Sequence, residues 1–182
     1  MEETELKNQI VATQNKIVKT AINLERFADT IVKKHLHPTE PRIVKKEDVA
    51  NLLGIKGLKS VSLSDKLYYL TDWESWKRII ANDWLTYLPH LKYKFDTTDC
   101  DNYAFLFASK MAWRYGLNSA GVVYGYIHRD NKKFGHAFNL ILTNDLELKV
   151  FEPMKGIFAD YNKEGTQMDK DRLYTINWVI LF

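Results

Sequence analysis

The sequence has little of what fixes a fold covalently or by rigid turns. Cys100 is the only cysteine in 182 residues, so no internal disulfide can form and the fold must stand on packing. Four prolines and eight glycines are too few for a collagenous or low-complexity chain, and no internal repeat is visible. No apolar run approaches about 18 residues, which excludes a membrane-spanning helix. A basic-then-apolar leader is also missing, since Met1-Glu2-Glu3-Thr4-Glu5 is acidic; the expectation is a cytoplasmic protein. Excess charge of one sign is absent too. A net charge of +3, with Lys and Arg scattered among acids, gives no stripe for nucleic acid and no call for a membrane partner.

What is present suits a folded globule. Hydrophobic residues make up 46%, aromatics 13% and charged residues 27%, enough for one domain with a real core and a short appendage. The appendage is residues 1–37. Leu6, Ile10, Thr13, Ile17, Thr20, Leu24, Phe27 and Ile31 step by four and three along a stretch without Gly or Pro, which predicts a long helix. Its stripe serves either of two uses: a homo-oligomeric coiled coil through residues 6–31, or packing on its own domain. Pro38 and Pro41 end it, in a linker carrying His35 and His37. Residues 38–182 form the domain proper.

Within that domain, residues 46–53 predict a short helix stopped by Gly54. Trp73, Trp76, Trp84 and Tyr87 fall in a helical or mixed stretch and read as core, with a carbohydrate-stacking surface as the other reading. Residues 101–115 repeat apolar positions at helical spacing and Gly116 closes them. Four strand-like runs follow: 121–128, 136–142, 146–152 and 173–182. A helix followed by an antiparallel meander is an α+β pattern.

Chemistry concentrates at three places. Cys100 stands where an acidic loop meets a helix N-terminus, whose free N–H groups favour thiolate and offer an oxyanion donor. Acids beside it push the other way, so a cationic partner is needed. His136, in Gly135-His136-Ala137-Phe138-Asn139, begins a strand with small neighbours and is the candidate base. Glu152 ends the next strand. With a turn centred on Asn144, His136 and Glu152 lie eight residues to either side and become cross-strand neighbours, which makes Glu152 the orienting carboxylate.

Asp99-Cys100-Asp101-Asn102-Tyr103-Ala104, Gly135-His136-Ala137-Phe138-Asn139 and Phe151-Glu152-Pro153, with Gly156 following, resemble one family over residues 60–182. It is the papain-like cysteine protease domain at the C-terminus of a fungal agglutinin of the Marasmius type, with its bacterial and phage relatives. The resemblance implies a papain-like or transglutaminase-like fold, with the Cys-bearing helix packed on an antiparallel sheet. It implies a Cys-His-Glu triad at Cys100, His136 and Glu152, with Asp101 and Asn139 as oxyanion or supporting residues. It further implies a calcium-type ion, with Asp101 as ligand. Asn102 and Met154 replace two of the family's oxygen ligands, so the ion is expected to be weak, at most about millimolar, and not required. The agglutinin's sugar-binding domain has no counterpart here.

The expected function is therefore a cysteine hydrolase cleaving an amide bond in a peptide or protein substrate. Two alternatives are a cell-wall amidopeptidase and an inactive bacterial or phage structural or inhibitor protein.

Overall fold

A computed structural model describes the backbone of residues 2–36 and 40–182, and side chains outside 1–4, 6, 8, 25, 26 and 28–39. The chain forms two compact units, Met1–His37 and Pro38–Phe182. The first is helix α1 (Glu2–Leu36), on which Ile10, Ile17, Leu24 and Phe27 are exposed. Thr13 and Thr20 turn their hydroxyls back to the carbonyls of Gln9 and Lys16. The core of the expected linker, residues 37–39, lies outside the described residues. No described helix is long and apolar enough to cross a membrane.

The second unit is α+β. Its elements are β1 (Arg42–Lys45), α2 (Lys46–Ile55), β2 (Val61–Leu63), β3 (Leu67–Leu70), α3 (Trp73–Ile79), a π-helical turn (Ile80–Trp84), the one-turn α4 (Leu85–Tyr87), a 3₁₀ turn (Leu88–His90) and α5 (Cys100–Tyr115). Then come β4 (Ala120–Arg129), β5 (Lys132–Leu142), β6 (Leu148–Glu152), β7 (Ile157–Asp160), β8 (Thr166–Asp169) and β9 (Arg172–Leu181). The main sheet runs β2-β9-β4-β5-β6-β7, with β8 also on β9, and a small sheet pairs β1 with β3. All pairs are antiparallel except β2 with β9.

Alternation of side chains along the central strands buries both sheet faces. On one face Val123, Phe138, Leu140, Val150 and Val179 meet Val49 and Leu53 of α2 and Tyr68 and Leu70 of β3. On the other, Ala104 and Ala108 of α5 lie against Val122 and Ala137; such small residues let the helix approach closely. Phe107 continues this contact, its ring 4.5 Å from Phe151 and 5.1 Å from Trp84.

Two expectations change here, and of the two readings of the aromatic stretch the core one holds. The helix expected to stop at Gly54 runs through it to Ile55, because an isolated glycine costs a helix only about 1 kcal/mol and Val49 and Leu53 are already anchored in the core. The aromatic stretch is a strand, a helix and a π turn, and it seals Trp76 and Trp84 completely, which removes both from any sugar-stacking surface. The β5–β6 hairpin pairs Asn139 with Phe151, so continuing the register sets Glu152 beside Phe138, not beside His136. The turn is centred on Asp145, one residue beyond Asn144: Leu142 pairs with Leu148, and Thr143 N–H bonds Glu147 O at 3.0 Å. The offset is two residues. Because side chains alternate with period two, Glu152 keeps to the same face as His136 and reaches it diagonally.

Candidate functional site

The loop before α5 is built tightly. Lys94 and Thr98 exchange two backbone hydrogen bonds, Asp96 takes a positive φ of 61°, and Asp96 N–H donates to Asp99 Oδ2 at 3.2 Å. Asp99 caps the helix in a capping box with Asn102, whose Oδ1 accepts Asp99 N–H at 3.1 Å. Cys100 thereby becomes the first helical residue, beside N–H groups that α-helix geometry leaves free. At the far end Gly116 closes α5 at φ 67°, a left-handed conformation that suits glycine.

The Cys100 Sγ accepts a hydrogen bond from Ala137 N–H at 3.4 Å and is bonded to the His136 side chain. That bond is the main cause holding the thiol below its ordinary pKa of 9.0, against burial and the Asp99 charge, which push it up. On His136, burial pulls the pKa down, but bonds to Cys100 and Glu152 outweigh it and raise the imidazole from 6.5 to about 9. His136 Nε2 meets Glu152 Oε2 at 2.6 Å, leaving Nδ1 as the nitrogen for the thiol.

Glu152 is a buried carboxylate, 1% exposed, and is held by three donors. Besides His136, Tyr174 OH donates to Oε2 at 2.8 Å and Met154 N–H to Oε1 at 3.0 Å. The turn that follows is fixed as well. Gly156 N–H returns to Glu152 O at 2.9 Å, with Gly156 at φ 67°, and Trp84 Nε1 donates to Pro153 O at 2.8 Å. Tyr174 was missed from sequence. It lies on β9, and only the β9-β4-β5-β6 strand order brings it beside Glu152.

Cys100 and His136 open onto a cleft of about 370 Å³, lined also by Asp99, Asp101, Tyr124, Gly125, Tyr126, Gly135, Ala137 and Asn177. A register shift between β4 and β9 pairs Tyr124 with Trp178 but Gly125 with Ile176. Asn177 is the extra residue of that bulge, a common device for re-aiming a side chain beside a site. Opposite it, a Cβ on Gly125 would stand 2.1 Å from Thr175 O. Gly125→Ala is therefore expected to push β4 off β9 and lower stability by about 1–3 kcal/mol, read as a drop in the urea midpoint. An unchanged midpoint would mean that the strands part freely here.

The remaining expected residues divide. Asp101 lines the cleft; its Oδ1 accepts Asn102 N–H at 2.8 Å, and a bond with Asp99 holds its carboxyl above the ordinary range. Asn139 does not reach the cleft. It is fully buried, and its Nδ2 donates to Ala104 O at 2.9 Å and Gly121 O at 3.1 Å, which ties α5 to β4 and leaves it the supporting use, not the oxyanion one. As for the calcium-type ion, no group of three or more His, Cys, Asp or Glu among the described residues is placed to hold a metal. Asn102 Oδ1 already accepts Asp99 N–H. The donor set does not fit a calcium cage, which wants six to eight oxygens.

Comparison with known proteins changes the functional expectation. The family model "Ricin-type beta-trefoil lectin C-terminal domain" matches residues 45–168. A solved structure titled "PSL1a-E64 complex" is 19% identical with a TM-score of 0.55, covering 76% of this chain and 51% of its own. A second, of Polyporus squamosus lectin bound to the human-type influenza-binding epitope Neu5Aca2-6Galb1-4GlcNAc, is 20% identical with a TM-score of 0.53, covering 76% and 49%. The chain thus spans about half the length of either neighbour, and at these identities the likeness shows the fold. No curated protein matches.

The agglutinin side of the resemblance stands. The cysteine hydrolase and thiol protease expected from the sequence, with a peptide or protein substrate, are overturned by this lectin family and these lectin neighbours. The physical reason is that motif order and spacing fix where side chains stand, whereas a reaction depends on what the site binds. With 45–168 matched by its model, the chain belongs to the family of ricin-type β-trefoil lectin C-terminal domains.

Proposed function

We propose that residues 38–182 form the companion domain of a carbohydrate-binding architecture, and that Cys100, His136 and Glu152 make it a thiol site. In this site a thiolate, paired with an imidazolium, holds an electrophilic ligand through sulfur. The lectin family and a neighbour titled with a bound oligosaccharide support the first half. One observation carries the second: His136 Nε2 meets a buried carboxylate at 2.6 Å, and the N–H of the next residue, Ala137, meets the Cys100 sulfur at 3.4 Å in the same cleft. A charge relay of that kind favours S⁻ and ImH⁺ over the neutral pair. The helix-borne thiol beside an antiparallel sheet is the papain-like or transglutaminase-like arrangement, proposed here as a fold only.

The test is alkylation of the full chain by iodoacetamide, in which the sulfur–carbon bond forms and iodide leaves. The sign follows from the shifts. A lowered Cys100 pKa keeps thiolate present at more acidic pH than an ordinary thiol allows, and His136 stays protonated up to about 9. The rate should begin to level off at lower pH than that of a free thiol, which still gains about tenfold per pH unit near pH 7. The chelator EDTA should leave the rate unchanged, because no calcium is required. A profile that climbs to about pH 9 like that of a free thiol would sink the proposal.

We further propose that α1 associates with copies of itself through residues 6–31. Its exposed Ile10, Ile17, Leu24 and Phe27 form a stripe of the kind that seeks a partner. Thr13 and Thr20 in the seam, bonded to their own backbone, limit this to a modest dimer or trimer. Light scattering of the full chain against residues 41–182 checks it: the long form should be the larger assembly and the short one a folded monomer. Two monomers would refute it.

A further inference from the structure

We infer that the cleft at Cys100 selects ligands carrying a positive charge, and that Asp99 and Asp101 impose the choice. This rests on the thiol site proposed above and adds the class of ligand it accepts. Both acids line the cleft beside the sulfur. Asp96 N–H on Asp99 and Asn102 N–H on Asp101 are neutral donors that cancel no charge. Because the bond between the two carboxyls holds Asp101 above its ordinary range, the selectivity is read at alkaline pH, where both are ionised. The imidazolium and the Lys133 ammonium on Tyr126 offset the thiolate and the Glu152 carboxylate, and the sign at the cleft mouth is then set by the two remaining carboxylates. Their reach is visible in their neighbours: the Asp99 charge raises the Cys100 thiol, and the Asp101 charge adds to burial in raising Tyr124.

The opposite wall agrees. Tyr124 and Tyr126 line the cleft, and a tyrosine face attracts cations. Lys133 already places its Nζ 3.6 Å from the Tyr126 ring centroid, an example of a cation seated there. Lys133 holds the hairpin end, so the preference belongs to the α5 end, within a screening length of the sulfur. Walls of low dielectric focus such a field into the cleft.

The experiment uses the full chain in EDTA with two methanethiosulfonates, one bearing trimethylammonium and one bearing sulfonate. The thiolate attacks the reagent's divalent sulfur, a disulfide forms and methanesulfinate leaves. At about pH 9 even an ordinary thiol is substantially ionised, so the ratio of cation rate to anion rate is read whether or not Cys100 is activated. The expected ratio is about tenfold above that of 2-mercaptoethanol, as two charges a few ångströms away in a largely aqueous mouth would give. It should fall toward that standard in Asp101→Asn and in Asp99→Asn, which keeps a good helix cap, and in about 0.5 M salt. A wild-type ratio equal to the standard overturns the inference while leaving the thiol site standing. Slow reaction with neutral iodoacetamide at about pH 6 overturns the thiol site and leaves the ratio to be judged by itself.

Discussion

His136→Ala is expected to slow alkylation of Cys100 by about a hundredfold at about pH 6. The wild-type thiol owes its lowered pKa first to the bond with His136. Without the ring, what remains is burial and the Asp99 charge, both raising, opposed by one N–H from Ala137 at 3.4 Å. The thiol should return to about 9 or above, and at about pH 6 only about one molecule in a thousand would be thiolate. The more basic thiolate is also the better nucleophile, which recovers part of that factor. At about pH 10 the order should close up or reverse. Glu152→Gln should act in the same direction by less, because the amide still accepts a bond but no longer supports the imidazolium charge. Equal rates for wild type and His136→Ala at about pH 6 would show that the ring does not govern the thiol. The His136 shift also ties stability to pH. Its folded pKa is raised to about 9 from 6.5, so its contribution is full below about 6.5 and is lost as the pH rises through about 9.

Asp83→Ala should cost about 3 kcal/mol of stability, measured as a lower urea midpoint. Asp83 is 7% exposed and receives three groups from α5. Lys110 Nζ stands 3.1 Å from Oδ1, Arg114 Nη1 3.0 Å from Oδ1, and Tyr115 OH donates to Oδ2 at 2.9 Å. Removing the carboxylate leaves two largely buried cations facing each other without it, a larger penalty than the pair's net worth. The π turn over Ile80–Trp84 aims Asp83 inward, and its next residue, Trp84, bonds Pro153 O beside Glu152. Asp83→Asn keeps the shape and some of the bonds and should lose less. A change within about 0.5 kcal/mol for Asp83→Ala would place this cluster among surface pairs.

Local signals carried part of the fold well. The end of α5 was legible because Gly116 carries cap chemistry, and its body because Ala104, Phe107, Ala108, Met111 and Tyr115 recur at helical spacing and are buried. The four long strands showed as apolar runs between turn residues. What stayed hidden is non-local. Nothing near β2 marks its parallel pairing with β9, nothing near Asp83 marks the π turn, and nothing near Tyr174 points to Glu152 across 22 residues of sequence. The bulge at Asn177 depends on Gly125, more than 50 positions earlier in a different strand. At the site, the motifs pointed to Cys100 and Glu152, which sit at the ends of α5 and β6, and to His136, which lies within β5 and not at its start. They did not carry the function, since the lectin family is recognised across residues 45–168 and not at three side chains.

The two-residue offset in the β5–β6 hairpin says something about how this fold can drift. Parity, not distance, is what the hairpin loop must preserve. A loop that gains or loses two residues slides Glu152 along its own face, and a long carboxylate side chain can absorb the slide. A change of one residue turns the carboxylate to the α5 side and puts Phe151 in its place, beside Tyr174 and the imidazole. Length variation between Leu142 and Leu148 should therefore be accepted in even steps and rejected in odd ones.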